Sequence, residues 1–306
     1  MPETRKSLTR FAWLSIAAAV LTIGLKTAAY LITGSVGLLS DAVESLVNLL
    51  GGIMALAMLT IAARPADEDH AYGHGKAEYF SSGLEGGLIL VAAFSIAVAA
   101  VMRLITPKPL QELGVGLTVS VIASVVNLIV AVLLLRAGRK HNSITLEANA
   151  KHLLTDVWTS VGVLAGIGLV LFTGWQWFDP VVALLVAVNI AWTAVGIMRR
   201  SVGGLMDVSI SAPDLDAVRK IFQAYDADGV KFHALRTRQA GAQKFISVHV
   251  LVPGDWTVHR GHELLEKIEG DIRVAVSDAV VFTHLESLDD PASWEDEGLE
   301  RGKTSG

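Results

Sequence analysis

The stretch EANAKHLLTDVWTSVGVLAGIGLVLF, residues 147–172, runs from polar sequence into a long apolar span. At its threshold stand His152 and Asp156, four residues apart. A carboxylate in hydrocarbon costs roughly 2.5–3.5 kcal/mol on insertion scales, so such a residue is retained where something uses it. On a helix the i, i+4 spacing stacks the imidazole above the carboxylate on one face.

The rest of the chain makes that span one of several. Of 306 residues, 52% are hydrophobic and 18% charged, with a mean hydropathy of +0.50. A membrane helix needs about 20 mostly apolar residues. Six windows qualify, near 11–33, 36–62, 80–104, 114–136, 148–173 and 178–198. Ordinary amphipathic sequence follows residue 207. The expected fold is a membrane all-α domain of six transmembrane helices over residues 1–207. A cytoplasmic α+β domain over 208–290 and a flexible tail over 291–306 complete it. The first window is longer than the apolar core of a signal peptide and has no clear small-residue cleavage site, which reads as a retained helix. With no cysteine, neither disulfides nor thiolate metal ligands are available.

Lys and Arg between the spans set the expected sidedness. Arg5, Lys6 and Arg10 precede the first window, and Arg64 and Lys76 lie between the second and third. Arg136, Arg139 and Lys140 fall between the fourth and fifth, and Arg199 and Arg200 follow the sixth. The other side has only Arg103 and Lys108. Both termini are therefore expected in the cytoplasm. Trp175, Trp177 and Phe178 suit an interfacial belt. After residue 200 there are 18 acidic against 11 basic residues, which argues against a nucleic-acid partner and is compatible with cations.

A second polar stripe lies in "GSVGLLSDAVESLVNLLGG". Asp41, Ser45 and Asn48 share one side of a helix, with Glu44 on its flank. Two such stripes, from the second and fifth windows, can converge on one cation. The plainer alternative is interhelical hydrogen bonding, which suffices for Ser45 and Asn48 but not for several charges. Nitrogen and carboxylate donors without sulfur suit Zn²⁺, Fe²⁺, Co²⁺, Ni²⁺, Cd²⁺ or Mn²⁺. In the loop "ARPADEDHAYGHGKAEYF", Asp67, His70 and His74 offer a surface divalent-metal set, against the alternative of a solvated polar turn.

In the C-terminal region "PDLDAVRKIFQAY" has a helical apolar stripe, and "GVKFHALRTRQAGAQKFISVHVLVPG" alternates around "QAGAQ" as a hairpin. "VHRGHELLEKIEGDI" reads as a second helix and "AVVFTHLES" as a last strand. The order αββαβ implies a small metallochaperone-like, ferredoxin-like sandwich. His233, His249 and His284 fall one to a strand, His259 and His262 at a helix start, and Glu286 shares a face with His284.

In these motifs the sequence resembles the cation diffusion facilitator family over essentially residues 8–287: "SDAVES", "KHLLTDV", "PADEDHAYGHGKAE", "LRTRQAG" and the αββαβ tail. The resemblance implies a homodimeric antiporter in the plasma (inner) membrane that expels Zn²⁺, Fe²⁺ or related divalent ions in exchange for protons. It implies a transport site at Asp41, His152 and Asp156. The family pattern departs at Ser45, where many members have Asp; Glu44, Ser45 or water completes the shell, and the sequence leaves these open. It further implies a loop site at Asp67, His70 and His74, and cytoplasmic ligands at His233, His249, His262, His284 and Glu286, with His259 an extra candidate. Lys76 and Asp207 match an ion pair near the dimer contact. A metallohydrolase is disfavoured, since no H-E-x-x-H or nucleophile motif is present. A metal-gated receptor or channel is the remaining rival class.

Overall fold

The computed structural model describes residues 8–33, 36–106, 115–175, 177–226 and 229–294; some helical side chains, those of Asp41 and Glu44 among them, lie outside the described residues. The chain divides into two compact units, residues 1–203 and 204–306.

Among the described residues the first unit holds six long helices: α1 (Thr9–Thr33), α2 (Val36–Ala62), α3 (Ala77–Ile105), α4 (Val115–Lys140), α5 (Ile144–Thr173) and α6 (Phe178–Leu205). Four stretches among the described residues are long and apolar enough to cross a membrane: Thr9–Ala29, Ala77–Ile105, Val121–Lys140 and Pro180–Leu205. The other two expected spans, in α2 and α5, are the helices that carry the polar stripes. In α2 the described apolar stretch is the shorter Asn48–Ala62.

Alanine dominates where the helices meet. Ala12 and Ala18 of α1, Ala55 of α2, Ala131 and Ala137 of α4 and Ala150 of α5 join one core with Leu59, Leu134, Leu146 and Leu153. Ala93 of α3, Ala148 of α5 and Ala194 of α6 form a second with Ile89, Ile190 and Ile197. Small residues let helix backbones approach closely where lipid provides no hydrophobic drive. Helix α5 contributes to both cores and is therefore the central rod. Val91, Phe94, Leu185, Val188 and Trp192 are instead exposed on the exterior, the inverse of a water-soluble bundle. Trp175, Trp177 and Phe178 stack at the α5–α6 connection, with centroids 4.6–5.9 Å apart.

The second unit follows the expected αββαβ order: α7 (Ala212–Tyr225), β1 (Lys231–Ala240), β2 (Gln243–Val252), α8 (Val258–Ala275) and β3 (Ala279–Ser287). A 3₁₀ turn, Pro291–Trp294, follows. Ser211 caps α7, accepting from the Asp214 N–H, and Thr257 caps α8, accepting from the Arg260 N–H. The sheet order is β1-β2-β3. Strands β1 and β2 are antiparallel and β2 and β3 parallel, so α8 is the crossover that a parallel pair requires. Gly241 supplies the left-handed φ of 61° in the hairpin turn. Ile246, Val248, Val250 and Val252 of β2 pack with Val218, Ile268 and Ile272 of the helices. One face of the sheet is thus the hydrophobic core, and the alternate residues face away from it.

One ion pair ties α7 to β2. The Lys244 Nζ lies 2.8 Å from Asp214 Oδ2, with side-chain exposures of 7% and 21%. Desolvation pushes the Asp214 carboxyl up, but hydrogen bonds from Lys244 and Ser211 outweigh it and hold the group below its ordinary value. Asp214→Asn strands a buried ammonium. The expected cost is about 2–3 kcal/mol, under the roughly 3–5 kcal/mol of a fully buried pair because Asp214 reaches solvent. Faster hydrogen exchange of β2 amides in the detergent-solubilised chain reads it out. Since the folded carboxyl titrates lower than the unfolded one, the pair's contribution is complete above 3.8 and is lost as pH falls through the depressed value. The gap between wild type and variant should therefore close only in that acid range.

Candidate metal centres

The loop between α2 and α3 gathers its three donors by a tight local fold. The His70 N–H donates to Asp67 Oδ1 at 2.7 Å, and the His70 Nδ1 lies 3.2 Å from the same oxygen. The other carboxylate oxygen lies 3.4 Å from His74 Nε2. Gly73, at φ 79°, turns the chain so that the two imidazoles meet with centroids 4.4 Å apart and planes tilted by 38°. All three donor atoms fall within 4.8 Å of one another. Desolvation raises the Asp67 carboxyl, yet the His70 N–H and the two imidazoles prevail and keep it lowered. Asp67 and His70 are open to water while the His74 side chain is 8% exposed, so an ion could arrive from solvent onto a partly fixed imidazole.

The strand histidines meet through register. His233 pairs with His249 across β1–β2, and His249 pairs with His284 across β2–β3, giving one row over three strands. Glu286, two residues along β3, points to the same side. Its Oε2 lies 2.7 Å from His233 Nε2, and its Oε1 lies 3.1 Å from His249 Nδ1 and 3.5 Å from His284 Nε2. A bulge lies between His233 and Arg236, with Ala234 at φ 50°. Bulges re-aim strand side chains, and this one directly follows the first donor. His233, His249 and Glu286 satisfy mutual distances of 4.8 Å, while His284 stands at the exposed rim. Nitrogen and carboxylate donors of this kind suit Zn²⁺ and its neighbours.

His262 does not join that row. It lies exposed in the first turns of α8. A Cβ on the adjoining Gly261 would stand 2.3 Å from Leu285 Cδ2, so α8 covers the face of β3 that bears Leu285. His284 and Glu286 alternate onto the opposite face, and the two-residue period of the strand puts the sheet between them and α8. His259 is likewise exposed and pairs within its helix, 3.4 Å from Glu263. Asp207 belongs to the second unit, where Arg238 donates to its Oδ1 at 3.2 Å; Lys76 is the N-cap of α3 in the first.

In the helical unit Asp156 of α5 is held from two sides. Asn48 of α2 donates to its Oδ2, and Asn127 of α4 donates to the same oxygen at 3.0 Å. Ser45 is buried on α2. One turn before Asp156, the buried His152 has an Nδ1 with no hydrogen-bond partner among the described residues. Two residues absent from the sequence argument stand here. Asn127 lay unremarked in an apolar window. Glu85 of α3 is fully buried, and neither carboxylate oxygen has a partner among the described residues. The available signal was a single acid in "SSGLEGGLILV", with a serine four residues before it.

The sequence pattern of cation efflux transmembrane domains matches residues 12–206, and that of the cytoplasmic domain of cation efflux proteins matches residues 210–288. A protein of Synechocystis sp. named as an uncharacterized transporter is 53% identical over 285 residues, covering 93% of this chain and 92% of its own. The cation-efflux pump FieF of Shewanella oneidensis is 32% identical over 274 residues, covering 90% and 92%. Its Citrobacter koseri namesake is 30% identical over 266 residues, covering 86% and 88%.

The strand cluster makes a prediction that separates its members. Glu286→Gln should lower Zn²⁺ affinity of one class of sites on the full-length protein by at least roughly tenfold, and His262→Ala, whose imidazole lies across the sheet within the same chain, should lower it less. Isothermal titration in detergent resolves the two.

Proposed function

Because the chain belongs to the cation efflux family, and is a membrane transporter rather than an enzyme, we propose that it expels Zn²⁺, Fe²⁺ or a related divalent transition-metal ion from the cytoplasm in exchange for protons. In this proposal all six helices of the first unit span the plasma membrane, with residues 1–207 as the transport domain. Both termini are cytoplasmic, residues 208–290 form a metal-sensing and dimerisation domain, and two copies associate.

The observation that carries the proposal is the Asp156 carboxylate gripped by Asn48 and Asn127, one turn from the buried His152, whose Nδ1 has no partner among the described residues. Nitrogen and oxygen donors from separate helices meet inside a helical membrane unit, where buried ionisable groups mark ion pathways. The ion is proposed to bind Asp41, His152 and Asp156, with Glu44, Ser45 or water completing its shell. Metal ligands must be deprotonated, so metal binding releases protons and proton return releases metal. Alternating exposure of one site to the two sides then makes an inward proton gradient drive metal outward.

The cytoplasmic cluster of His233, His249, His284 and Glu286 serves as a regulatory metal site, with His262, across the sheet in the same chain, as a further ligand at the interface of two copies. An ion there offsets the acidic charge of the domain and favours pairing of two copies. Asp67, His70 and His74 are proposed as a capture site on the loop. Lys76 and Asp207 are proposed as an ion pair of the dimer.

Proteoliposomes test exchange directly. Asp156→Ala should abolish proton movement driven by a Zn²⁺ gradient; retained wild-type flux would remove the proposed centre. Uphill Zn²⁺ accumulation under an imposed pH gradient separates an antiporter from a metal-gated channel, which only dissipates gradients. Ser45→Asp adds a carboxylate and should change the order of preference among Zn²⁺, Fe²⁺, Co²⁺, Ni²⁺, Cd²⁺ and Mn²⁺, measured as relative transport rates.

A further inference from the structure

Glu85 is the most isolated ionisable group among the described residues of the helical unit. It is 0% exposed, and both of its carboxylate oxygens lack a hydrogen-bond partner among those residues. Other acids of that unit are accommodated. Glu78 accepts from Ser143 at 2.5 Å, Glu147 pairs with Arg200 at 2.6 Å, and Asp156 accepts from two asparagines. Leaving a buried carboxyl group without any partner costs the full desolvation of that group, which is why such groups are rare.

The neighbour of Glu85 is equally unusual. Gly51 of α2 has no side chain, and a Cβ there would stand 3.5 Å from Glu85 Oε1 and 3.9 Å from His152 Nδ1. Two unpartnered donor atoms, one oxygen and one nitrogen, therefore border the same small space. Three helices bound it: α2 through the bare glycine, α3 through Glu85 and α5 through His152. Depth agrees as well. Glu85 lies eight residues into α3 and His152 eight into α5, about 12 Å along each helix at 1.5 Å per residue. One turn before Glu85, the buried Ser81 Oγ also has no partner among the described residues, so α3 presents a hydroxyl and a carboxylate on one face.

We propose that Glu85 is a direct ligand of the transported divalent cation, meeting it together with His152 Nδ1 in the space that Gly51 leaves open. The inference rests on the transport reading and adds α3 to the helices that supply donors. A carboxylate oxygen and an imidazole nitrogen with no other partner are what a divalent ion takes up and what a packed apolar core excludes. Gly51 keeps that space open, since any larger side chain there would occupy the cation's place.

Zn²⁺ uptake by proteoliposomes containing the full-length protein tests this through KM and kcat separately. Glu85→Gln keeps the shape of the side chain and removes the anionic donor. It should raise the KM for Zn²⁺ by at least roughly tenfold, since even the outer partners of metal ligands are worth 10–100-fold in affinity. Glu85→Asp, which keeps a carboxylate on a shorter stem, should raise it less and alter the Zn²⁺/Co²⁺ preference. A structural, protonated Glu85 would tolerate the amide, so a Gln variant with wild-type KM overturns the proposal. If the Gln variant does not yield monodisperse protein, Glu85→Asp decides: unchanged KM and unchanged preference overturn it, and a shift in either supports it. Asp156→Ala is run beside them. Loss of transport in that variant with an unaffected Glu85→Gln sinks only the role of Glu85. No Zn²⁺ transport by the wild type sinks the transport reading beneath it.

Discussion

Polar side chains inside a helical membrane unit must find partners within the protein, because hydrocarbon offers none. That constraint organises the first unit of this chain. Helix α5 lies at its centre and carries the groups that most need partners, while α1, α2, α3 and α4 supply them. Ser15 donates to Asn149, Asn48 and Asn127 donate to Asp156, and Ser124 donates to Ser160. Alanine-rich contacts elsewhere allow the close helix approach that these short polar side chains require. What the network leaves unpaired is as informative as what it pairs. Among the described residues, His152 Nδ1 and the Glu85 carboxylate are left over beside one glycine.

In the second unit the governing constraint is the two-residue period of a strand. Every other residue of β2 enters the hydrophobic core beneath the helices, and the intervening ones face away from it. The register of β1 and β3 on β2 then aligns three histidines that are separated in sequence by 16 and 35 positions. No local motif predicts that row, because it depends on which residues pair. His262 lies closer in sequence to His249 than His284 does, yet its helix covers the face of the sheet that bears Leu285, opposite the row within one chain.

These two constraints explain what could be read from the sequence. Helical windows, the αββαβ order and the hairpin at "QAGAQ" follow from periodicity and turn residues, which are local. The loop donors Asp67, His70 and His74 were legible for the same reason: their spacing closes on itself within eight residues. The helix stripes showed which faces were polar, but not which face met which. Asn127 and Glu85 escaped because each is a single polar residue in an apolar window, and only packing distinguishes a tolerated residue from a used one. His262 entered through the resemblance to the family's dimer-interface ligands, and the sequence of one chain carries no sign of which sheet face its helix covers.

The contrast between Asp156 and Glu85 bears on how such a unit can handle an ion. Asp156 is already provided with donors from α2 and α4, so the folded chain stabilises its carboxylate before any cation arrives. Glu85 and His152 have no such support among the described residues. A site made only of well-supported ligands would bind tightly and release slowly, whereas one made only of unsupported ligands would be costly to keep empty. Combining the two kinds leaves part of the site pre-organised and part dependent on the occupant. In the proposed exchange of a metal ion for protons, the occupant-dependent part has the greatest leverage, because there the free energy of the empty protein is least relieved by its own groups. Placing those donors around a bare glycine, at the meeting of three helices, also lets a small relative movement of any one helix change the site.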